Sequence, residues 1–284
     1  MRAHARLSAG GAIVRLFGTL VVLVAIVACA AAPARTGGER TLRVMTYNIA
    51  AGGGDLARIA RTIREQAPDV VALQEVDVHW SDRSKFADQV AELSAALGMQ
   101  ARFAPIYRFA DADSTKPPRQ YGLAMLSRFP ITAFRNHELT RLSTQLPVTT
   151  PIPLPGFLEA SIDIRGTAVR VFNTHLDYRG DPALRVTEVK ETLAILGDLS
   201  GPTLLFGDLN ATPESMELRP LLAAMRDLWM VHAGQGFSYP AKGPVKRIDY
   251  VLGSTHFSTV SSRVVESLAS DHRPVVMDLV LVAR

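Results

Sequence analysis

The sequence contains almost no cysteine and no concentrated stretch of basic charge. Cys29 is the only cysteine among 284 residues, so no disulfide can form within the chain. No run of Lys and Arg exceeds two residues, which is not the pattern of a nucleic-acid-binding stripe. The glycine cluster at residues 52–54 is not followed by Gly-Lys-Ser or Gly-Lys-Thr, which excludes a P-loop there. Repeats of solenoid period are also missing.

The composition predicts a folded core. Hydrophobic residues make up 48% of the chain and charged residues 20%, proportions that exclude an intrinsically disordered protein. The length suits one large α/β domain or two small ones. Because no linker-like break follows Thr41, the simplest division is one domain covering residues 41–284.

The first residues have the layout of a secretory signal. Arg2, Arg6 and Arg15 precede an apolar run, residues 16–28, which ends in small residues and is too short to span a bilayer comfortably. Removal of residues 1–28 leaves 28 basic against 27 acidic side chains, a net charge of +1 instead of +4. The basic pI therefore belongs largely to the leader and indicates little about partners.

The position of Cys29 predicts a lipid anchor. It ends the sequence IVAC, which resembles a bacterial lipobox, in which the cysteine is lipidated and becomes the new N-terminus. We therefore expect a lipoprotein signal peptide at residues 1–28, a tether at residues 29–40, secretion across the cytoplasmic membrane and attachment to the cell envelope. An ordinary signal peptide cleaved near Ala32 and an uncleaved anchor remain open alternatives.

Strand and helix patterns alternate along the rest of the chain. Helices are predicted at residues 56–66, 87–97, 182–199 and 213–225. Strands are predicted at residues 42–47, 70–74, 121–127, 131–139, 157–164, 168–174, 203–206, 247–252 and 274–280. Residues 108–120 and 140–156 are expected to be long loops. Adjacent hairpins argue against a purely parallel sheet. The prediction is an α/β fold, a four-layer sandwich of two packed mixed or antiparallel sheets flanked by helices.

Polar side chains cluster at or near the ends of six predicted strands. These residues are Asn48, Glu75, His175, Asp208 with Asn210, Asp249, and Asp271 with His272. Each alone has an ordinary structural explanation as a turn former or helix cap. As a set, they supply carboxylates, carboxamides and imidazoles without thiolate or lysine. Oxygen ligands of this kind suit a hard cation such as Mg²⁺, Mn²⁺ or Ca²⁺.

The ordered motifs resemble the endonuclease/exonuclease/phosphatase superfamily, which includes pancreatic-type deoxyribonucleases, abasic-site endonucleases and neutral sphingomyelinases. The motifs are Tyr-Asn, Leu-Gln-Glu, Asn-Thr-His, Gly-Asp-x-Asn, Arg-Ile-Asp-Tyr and Ser-Asp-His, with the additional segment YGLAMLSR at residues 121–128. The resemblance covers residues 42–279. It implies a divalent-metal-dependent hydrolase that cleaves a phosphoester by attack of an activated water molecule.

The resemblance also implies roles for individual residues. Glu75, Asn48 and Asp271 are expected at the metal. Asp208 is expected to orient or deprotonate water, and Asn210 to donate to phosphate or nucleophile. His272 is expected to bind a phosphate oxygen with Asp249 as its carboxylate partner, and His175 to be a second imidazole. Ala50 stands where some nuclease members carry a further acid, so a second metal contact is not expected there.

Two further residues are candidates for substrate contact. Asp177 extends the strand that ends at His175, and Arg119 lies at the end of a predicted loop. The expected substrate is a lipid headgroup, a small phosphodiester or a nucleic acid. We rank an extracytoplasmic phosphodiesterase or phosphatase first, an envelope-bound nuclease acting on DNA second, and a catalytically silent binding module third. A monomer is expected.

Overall fold

The computed structural model describes residues 41–111 and 113–282. The predicted signal peptide, the tether and Cys29 lie outside the described residues. Of the helices within this part of the chain, none has both the length and the apolar character needed to cross a membrane.

The described chain folds into twelve strands and four α-helices. The strands are β1 (Thr41–Asn48), β2 (Val70–Val78), β3 (Gln100–Phe109), β4 (Arg119–Ser127), β5 (Ile131–Arg141), β6 (Ile152–Ile164), β7 (Thr167–His175), β8 (Thr203–Asp208), β9 (Arg226–Asp227), β10 (Asp249–Gly253), β11 (Phe257–Val264) and β12 (Val275–Leu281). The helices are α1 (Leu56–Gln66), α2 (Gln89–Leu97), α3 (Ala183–Leu196) and α4 (Arg219–Ala224).

The strands form two mixed six-stranded sheets. The first has the order β11-β12-β1-β2-β4-β3, and the second has the order β5-β6-β7-β8-β10-β9. Each sheet contains a central parallel pair, β1 with β2 and β7 with β8, among antiparallel neighbours. The carboxyl ends of each parallel pair therefore meet at one edge of their sheet, which is where the predicted polar residues lie.

Three apolar layers hold the sheets and helices together. Between the sheets, Val44 and Leu123 of the first pack in one buried cluster with Val171 and Phe206 of the second. A second cluster joins the outer face of the first sheet to α1 and α2, and a third joins the outer face of the second sheet to α3 and α4. The two packed sheets with outer helices confirm the predicted α/β class.

Helices α1 and α2 follow from local sequence signals. Asp55 caps α1 by accepting a hydrogen bond from the backbone N–H of Arg58, and Asp88 caps α2 in the same way. Gly98 ends α2 in the left-handed conformation, a common glycine termination.

Several predicted boundaries were wrong, mainly at the sheet edges. Strands β3 and β11 were not predicted, because β3 contains Pro105 and β11 is rich in Ser and Thr; both are edge strands, where such residues are tolerated. The predicted loops at 108–120 and 140–156 are shorter, since β4 begins at Arg119 and β6 at Ile152. The predicted helix at 213–225 is a 3₁₀ turn followed by the short α4.

Candidate active site

Side chains from β1, β2, β7, β8 and β10 and from the loop before β12 converge on one cleft between the sheets. In the register of the parallel pair β7 and β8, His175 lies opposite Asp208. Asp249 lies opposite the same Asp208 on the antiparallel strand β10. From the first sheet, Asn48 ends β1 beside β2, which carries Glu75. Side chains from distant parts of the sequence are thereby brought to one place.

A β-bulge directs Glu75 into the cleft. The register of β2 with β4 shifts between Leu73 and Val76, so that two residues of β2 face one residue of β4. Glu75 adopts the left-handed conformation, with φ of 57°, which is uncommon outside glycine. Bulges occur often beside active sites, where they change the direction of a side chain. Here the bulge makes Glu75 a lining residue of the cleft.

Asn48 connects the carboxylates of the two sheets. Its Nδ2 donates to Oε1 of Glu75 at 3.0 Å and to Oδ2 of Asp208 at 3.1 Å. Its Oδ1 accepts the backbone N–H of Ala50 at 3.0 Å, and this definite donor fixes the orientation of the amide. The Asn48 amide nitrogen, not its oxygen, therefore faces the carboxylates.

Asp249 and His272 form a buried pair. Nδ1 of His272 lies 2.9 Å from Oδ2 of Asp249, which also accepts the Ser238 hydroxyl at 2.6 Å. The ring of Tyr239 packs on the imidazole with centroids 4.7 Å apart. Burial lowers the pKa of His272, but the Asp249 and Asp208 carboxylates outweigh burial and raise it to about 10. His272 is thus an imidazolium at neutral pH.

Asp208 lies at the centre of the cluster. Its Oδ1 accepts the backbone N–H of Asn210 at 3.0 Å. Its Oδ2 lies 3.5 Å from Nε2 of His272 and 3.6 Å from Nε2 of His175. Complete burial and the neighbouring Asp249 charge raise the pKa of Asp208 above its ordinary value. A carboxylate with a raised pKa is a stronger proton acceptor than a free one.

Asn210 reaches the cleft through a strained backbone. Its φ is 50°, and its Nδ2 donates to the carbonyl of Leu176 at 2.9 Å. The loop after β8 is therefore tied to the loop after β7, and Asn210 lines the cleft with its amide oxygen unused by described residues.

The cleft has a volume of about 470 Å³, within the range of small-molecule sites. Seven predicted residues line it: Glu75, His175, Asp177, Asp208, Asn210, Asp271 and His272. Asn48 and Asp249 lie directly behind them and are buried. Arg119 begins β4 opposite Phe109 and is not among the described residues that line the cleft. Asp177 is paired with Arg179.

Two sets of side chains have the chemistry to hold a metal ion. Asp208, Asp249 and His272 bring one ligand atom each to within 4.8 Å of one another. A protonated imidazole has no free lone pair, however, so the pair with Asp249 makes His272 a hydrogen-bond donor rather than a ligand. This group is a hydrogen-bonded acid–base cluster.

Glu75 and Asp271 fit a hard cation better. Both carboxylates line the cleft, and neither forms an ion pair with Lys or Arg among the described residues. Asp271 is exposed, and among the described residues its carboxylate accepts only a long hydrogen bond, 3.3 Å, from the Ser270 hydroxyl. Oxygen donors left without a cationic partner are the ligands that Mg²⁺, Mn²⁺ and Ca²⁺ prefer. The residues present therefore fit a divalent cation.

Several other residues in or beside the cleft had no signal in the sequence. Tyr239, Ser238 and Lys246 come from the irregular segment before β10, which has no periodic pattern. The paired backbone hydrogen bonds between Tyr239 and Lys246 shape this segment. Only tertiary structure places the Tyr239 ring on His272.

A buried ionic network in the wall of the cleft was also missed. Arg141 donates to the His175 carbonyl at 2.7 Å and lies 3.4 Å from Glu188, whose other oxygen accepts the backbone N–H of Asp177 at 2.8 Å. A signal for this network exists in the sequence. Arg185 and Glu188 occupy positions that the helical period assigns to the buried face of α3.

Three other histidines are not among the described residues that line the cleft. His137 pairs with Glu159 at 2.7 Å, and His256 lies 3.1 Å from the Ser254 hydroxyl. His232 is exposed. Trp80 is nearly buried and packs against Tyr107, Phe109 and Tyr121, so it is a packing residue rather than an exposed rim aromatic.

The chain is similar to several proteins of solved structure. An endonuclease/exonuclease/phosphatase from Beutenbergia cavernae is 27% identical, with a TM-score of 0.68 over 86% of this chain and 72% of that one. The catalytic domain of human Nocturnin is 19% identical, with a TM-score of 0.62 over 85% and 94%. A mannosyl-6-phosphatase from Bacteroides thetaiotaomicron is 19% identical, with a TM-score of 0.61 over 84% and 100%. At the last two identities the likeness is one of fold.

No curated protein sequence matches the chain. The sequence profile of the Endonuclease/Exonuclease/phosphatase family, in contrast, matches residues 45–272. The match spans the strand ends that carry Asn48, Glu75, His175 and Asp208, and it reaches His272. The chain therefore belongs to the endonuclease/exonuclease/phosphatase family.

Proposed function

We propose that the protein is a divalent-metal-dependent hydrolase of small phosphoesters, a phosphodiesterase or a phosphatase. One observation carries the proposal. Two carboxylates without a Lys or Arg partner among the described residues share a cleft with a buried imidazolium and a carboxylate of raised pKa. A phosphoester is anionic, so its hydrolysis requires positive charge beside the phosphoryl group and a base for the attacking water. The cleft supplies both.

Each residue has a defined task in this proposal. Glu75 and Asp271 would hold the cation, which supplies charge neutralisation at the phosphoryl oxygens. Asn48 orients the carboxylates of Glu75 and Asp208 through its amide nitrogen. The imidazolium of His272, held by Asp249, donates to a phosphoryl oxygen.

The proton path runs through Asp208. Asp208 accepts a proton from the attacking water, whose oxygen bonds to phosphorus as the ester P–O bond breaks. His175, 3.6 Å from Asp208, is placed to deliver the proton to the departing ester oxygen, which leaves as an alcohol. The amide of Asn210 orients the water or the phosphoryl group, and Asp177 shapes the adjoining wall.

The charge of the cleft favours a small substrate over DNA. Its acidic lining residues are Glu75, Asp177, Glu188, Asp208 and Asp271, and its cationic ones are Arg141, Arg179, Lys246 and the imidazolium of His272. A nucleic-acid site should carry an excess of cations to meet many phosphates. We therefore place nuclease activity second, and a steep loss of DNA affinity with salt would be its signature.

A hydrolysis panel tests the proposal. Purified protein would be assayed on bis-p-nitrophenyl phosphate, sugar phosphates, phospholipids, sphingomyelin, RNA and DNA with Mg²⁺, Mn²⁺ or Ca²⁺. We expect turnover that EDTA abolishes and that His272→Ala lowers by orders of magnitude, while the variant still unfolds in a cooperative thermal transition. The absence of hydrolysis with every metal would favour a binding module instead.

From the sequence, we also propose attachment of the protein to the cell envelope through a lipid on Cys29. Support comes from the basic leader, the short apolar run and the single cysteine at its end. Expression of Cys29→Ser should move the protein from the membrane fraction to a soluble fraction. Equal membrane association of both proteins would contradict the lipid anchor.

A further inference from the structure

The ring of Tyr121 is held rigidly at the edge of the cleft. Its centroid lies 5.8 Å from that of Trp80 and 6.2 Å from that of Tyr107. The guanidinium of Arg83 lies 5.4 Å from the ring centroid. Arg83 is itself fixed by two hydrogen bonds, 2.7 and 2.9 Å, to the fully buried Asp77. A ring packed on several sides in this way has one orientation, so its hydroxyl also has a defined position.

The hydroxyl of Tyr121 has no partner among the described residues. The neighbouring Tyr107 shows the contrast, because its hydroxyl accepts the backbone N–H of Thr144 at 2.9 Å. Tyr121 lines the cleft, yet no described side chain or backbone group hydrogen-bonds to its hydroxyl. Tyr121 is half-buried. Its hydroxyl is therefore free to donate to a molecule bound in the cleft.

The strand register places Tyr121 beside the proposed metal carboxylate. Tyr121 on β4 lies opposite Asp77 on β2, two residues beyond Glu75. The phenol of a tyrosine is neutral near pH 7. A neutral donor at this position adds a hydrogen bond without adding a positive charge that would repel a cation held by Glu75.

We propose that Tyr121 is a further catalytic residue, whose hydroxyl donates a hydrogen bond to an oxygen of the phosphoryl group under attack. The inference rests on the proposed phosphoester hydrolysis. In that site His272 donates to the phosphoryl group from the loop that precedes β12, and Tyr121 donates from β4. The two donors and the cation would share the negative charge that develops on the phosphoryl oxygens.

The test compares two variants that each lose one phenolic hydroxyl. Tyr121→Phe keeps the ring and its packing against Trp80 and Arg83. Tyr47→Phe is the matched control, because Tyr47 lies on the same sheet but is fully buried against α1, on the face away from the cleft. Both proteins would be assayed on bis-p-nitrophenyl phosphate with Mg²⁺ and Mn²⁺, with Tm and metal affinity measured in parallel.

We expect kcat/KM of Tyr121→Phe to fall roughly 10- to 100-fold, the usual effect of losing a hydrogen bond to a charged group. Its Tm and metal affinity should match the wild type, and Tyr47→Phe should keep wild-type kcat/KM. Activity of Tyr121→Phe within twofold of an active wild type would overturn this inference alone. A wild type without activity on any phosphoester would overturn the proposed function and this inference with it.

Discussion

Nδ1 of His272 lies 2.9 Å from Oδ2 of Asp249, and both side chains are buried. Burial alone would favour the neutral imidazole, so the imidazolium depends on this carboxylate. The raised pKa of His272 is therefore a property of the pair.

Replacement of Asp249 by Asn should show how far activity depends on the positive charge of His272. We expect kcat/KM of Asp249→Asn to fall roughly 100-fold near neutral pH, because a preorganised charged donor is lost. In the wild type, His272 stays protonated up to about pH 10. Without the Asp249 carboxylate its pKa should be lower, so the variant should lose its remaining activity at a lower pH than the wild type. A kcat/KM profile from pH 6 to 9.5 measures this shift. Asp278→Asn, a change in the remote pair with Arg43, is the control. Superimposable profiles of Asp249→Asn and the wild type would contradict the assignment.

Asn48 offers a second test, because it donates to carboxylates from both sheets. In Asn48→Leu, Glu75 would lose the donor that orients it. We expect the Mg²⁺ concentration for half-maximal activity to rise roughly 10- to 100-fold, the usual effect of losing a residue that orients a ligand. Asn136→Leu removes a similar bridging amide from β5 and should leave the Mg²⁺ dependence unchanged. An unaltered Mg²⁺ requirement in Asn48→Leu would exclude this orienting role.

Glu188 should make stability depend on pH. Burial raises its pKa to about 7 from an ordinary value of 4.5, despite the opposing effect of Arg141. Between these values the folded protein keeps a proton that the unfolded chain releases, so the free energy of unfolding falls as pH rises. The decrease should be up to about 3 kcal/mol, complete above about pH 7.

Urea unfolding from pH 4.5 to 8 measures this slope. Glu188→Gln cannot ionise, so the part of the slope due to Glu188 should disappear in that variant. The comparison uses the slope and not the absolute stability, because the variant also leaves Arg141 without its carboxylate. Equal slopes in both proteins would show that Glu188 titrates normally.

Gly207, next to Asp208, allows β8 to lie close to β7. A Cβ atom at Gly207 would lie 2.6 Å from the carbonyl oxygen of Thr174, closer than real contacts allow. Gly207→Ala should therefore push the strands apart, cost about 1–3 kcal/mol of stability and displace Asp208 from His175. Gly201→Ala, which meets no atom within 4 Å, is the control. Thermal unfolding and kcat report the two effects, and a fully active, equally stable Gly207→Ala would contradict this view.

The central strands and the main site residues could be predicted because their signals are local. Strand β8, for instance, is a short apolar run that ends at Asp208. Edge strands such as β3 could not be predicted. Strand β3 pairs with another strand on one side, so its other side tolerates Pro105, and its hydrophobic alternation is weaker. The bulge at Glu75 and the ring of Tyr239 on His272 depend on contacts between distant segments.

The amide of Asn48 shows a second kind of limit. An asparagine at the end of β1 could equally be a metal ligand or a donor that orients neighbouring carboxylates. The choice depends on the backbone N–H of Ala50, which takes the amide oxygen. Sequence patterns identify such residues, while their roles follow from individual hydrogen bonds.

The first and last strands of the domain are neighbours in the interior of one sheet, since β12 pairs with β1. His272 precedes β12, and the Ser270 hydroxyl donates to the carbonyl of Asn48 at 2.8 Å. During synthesis on the ribosome, Asn48, Glu75 and Asp208 emerge long before Asp271 and His272. A nascent chain therefore remains without hydrolytic capacity until its final strand has been released and has docked, so activity reports completion of the whole domain.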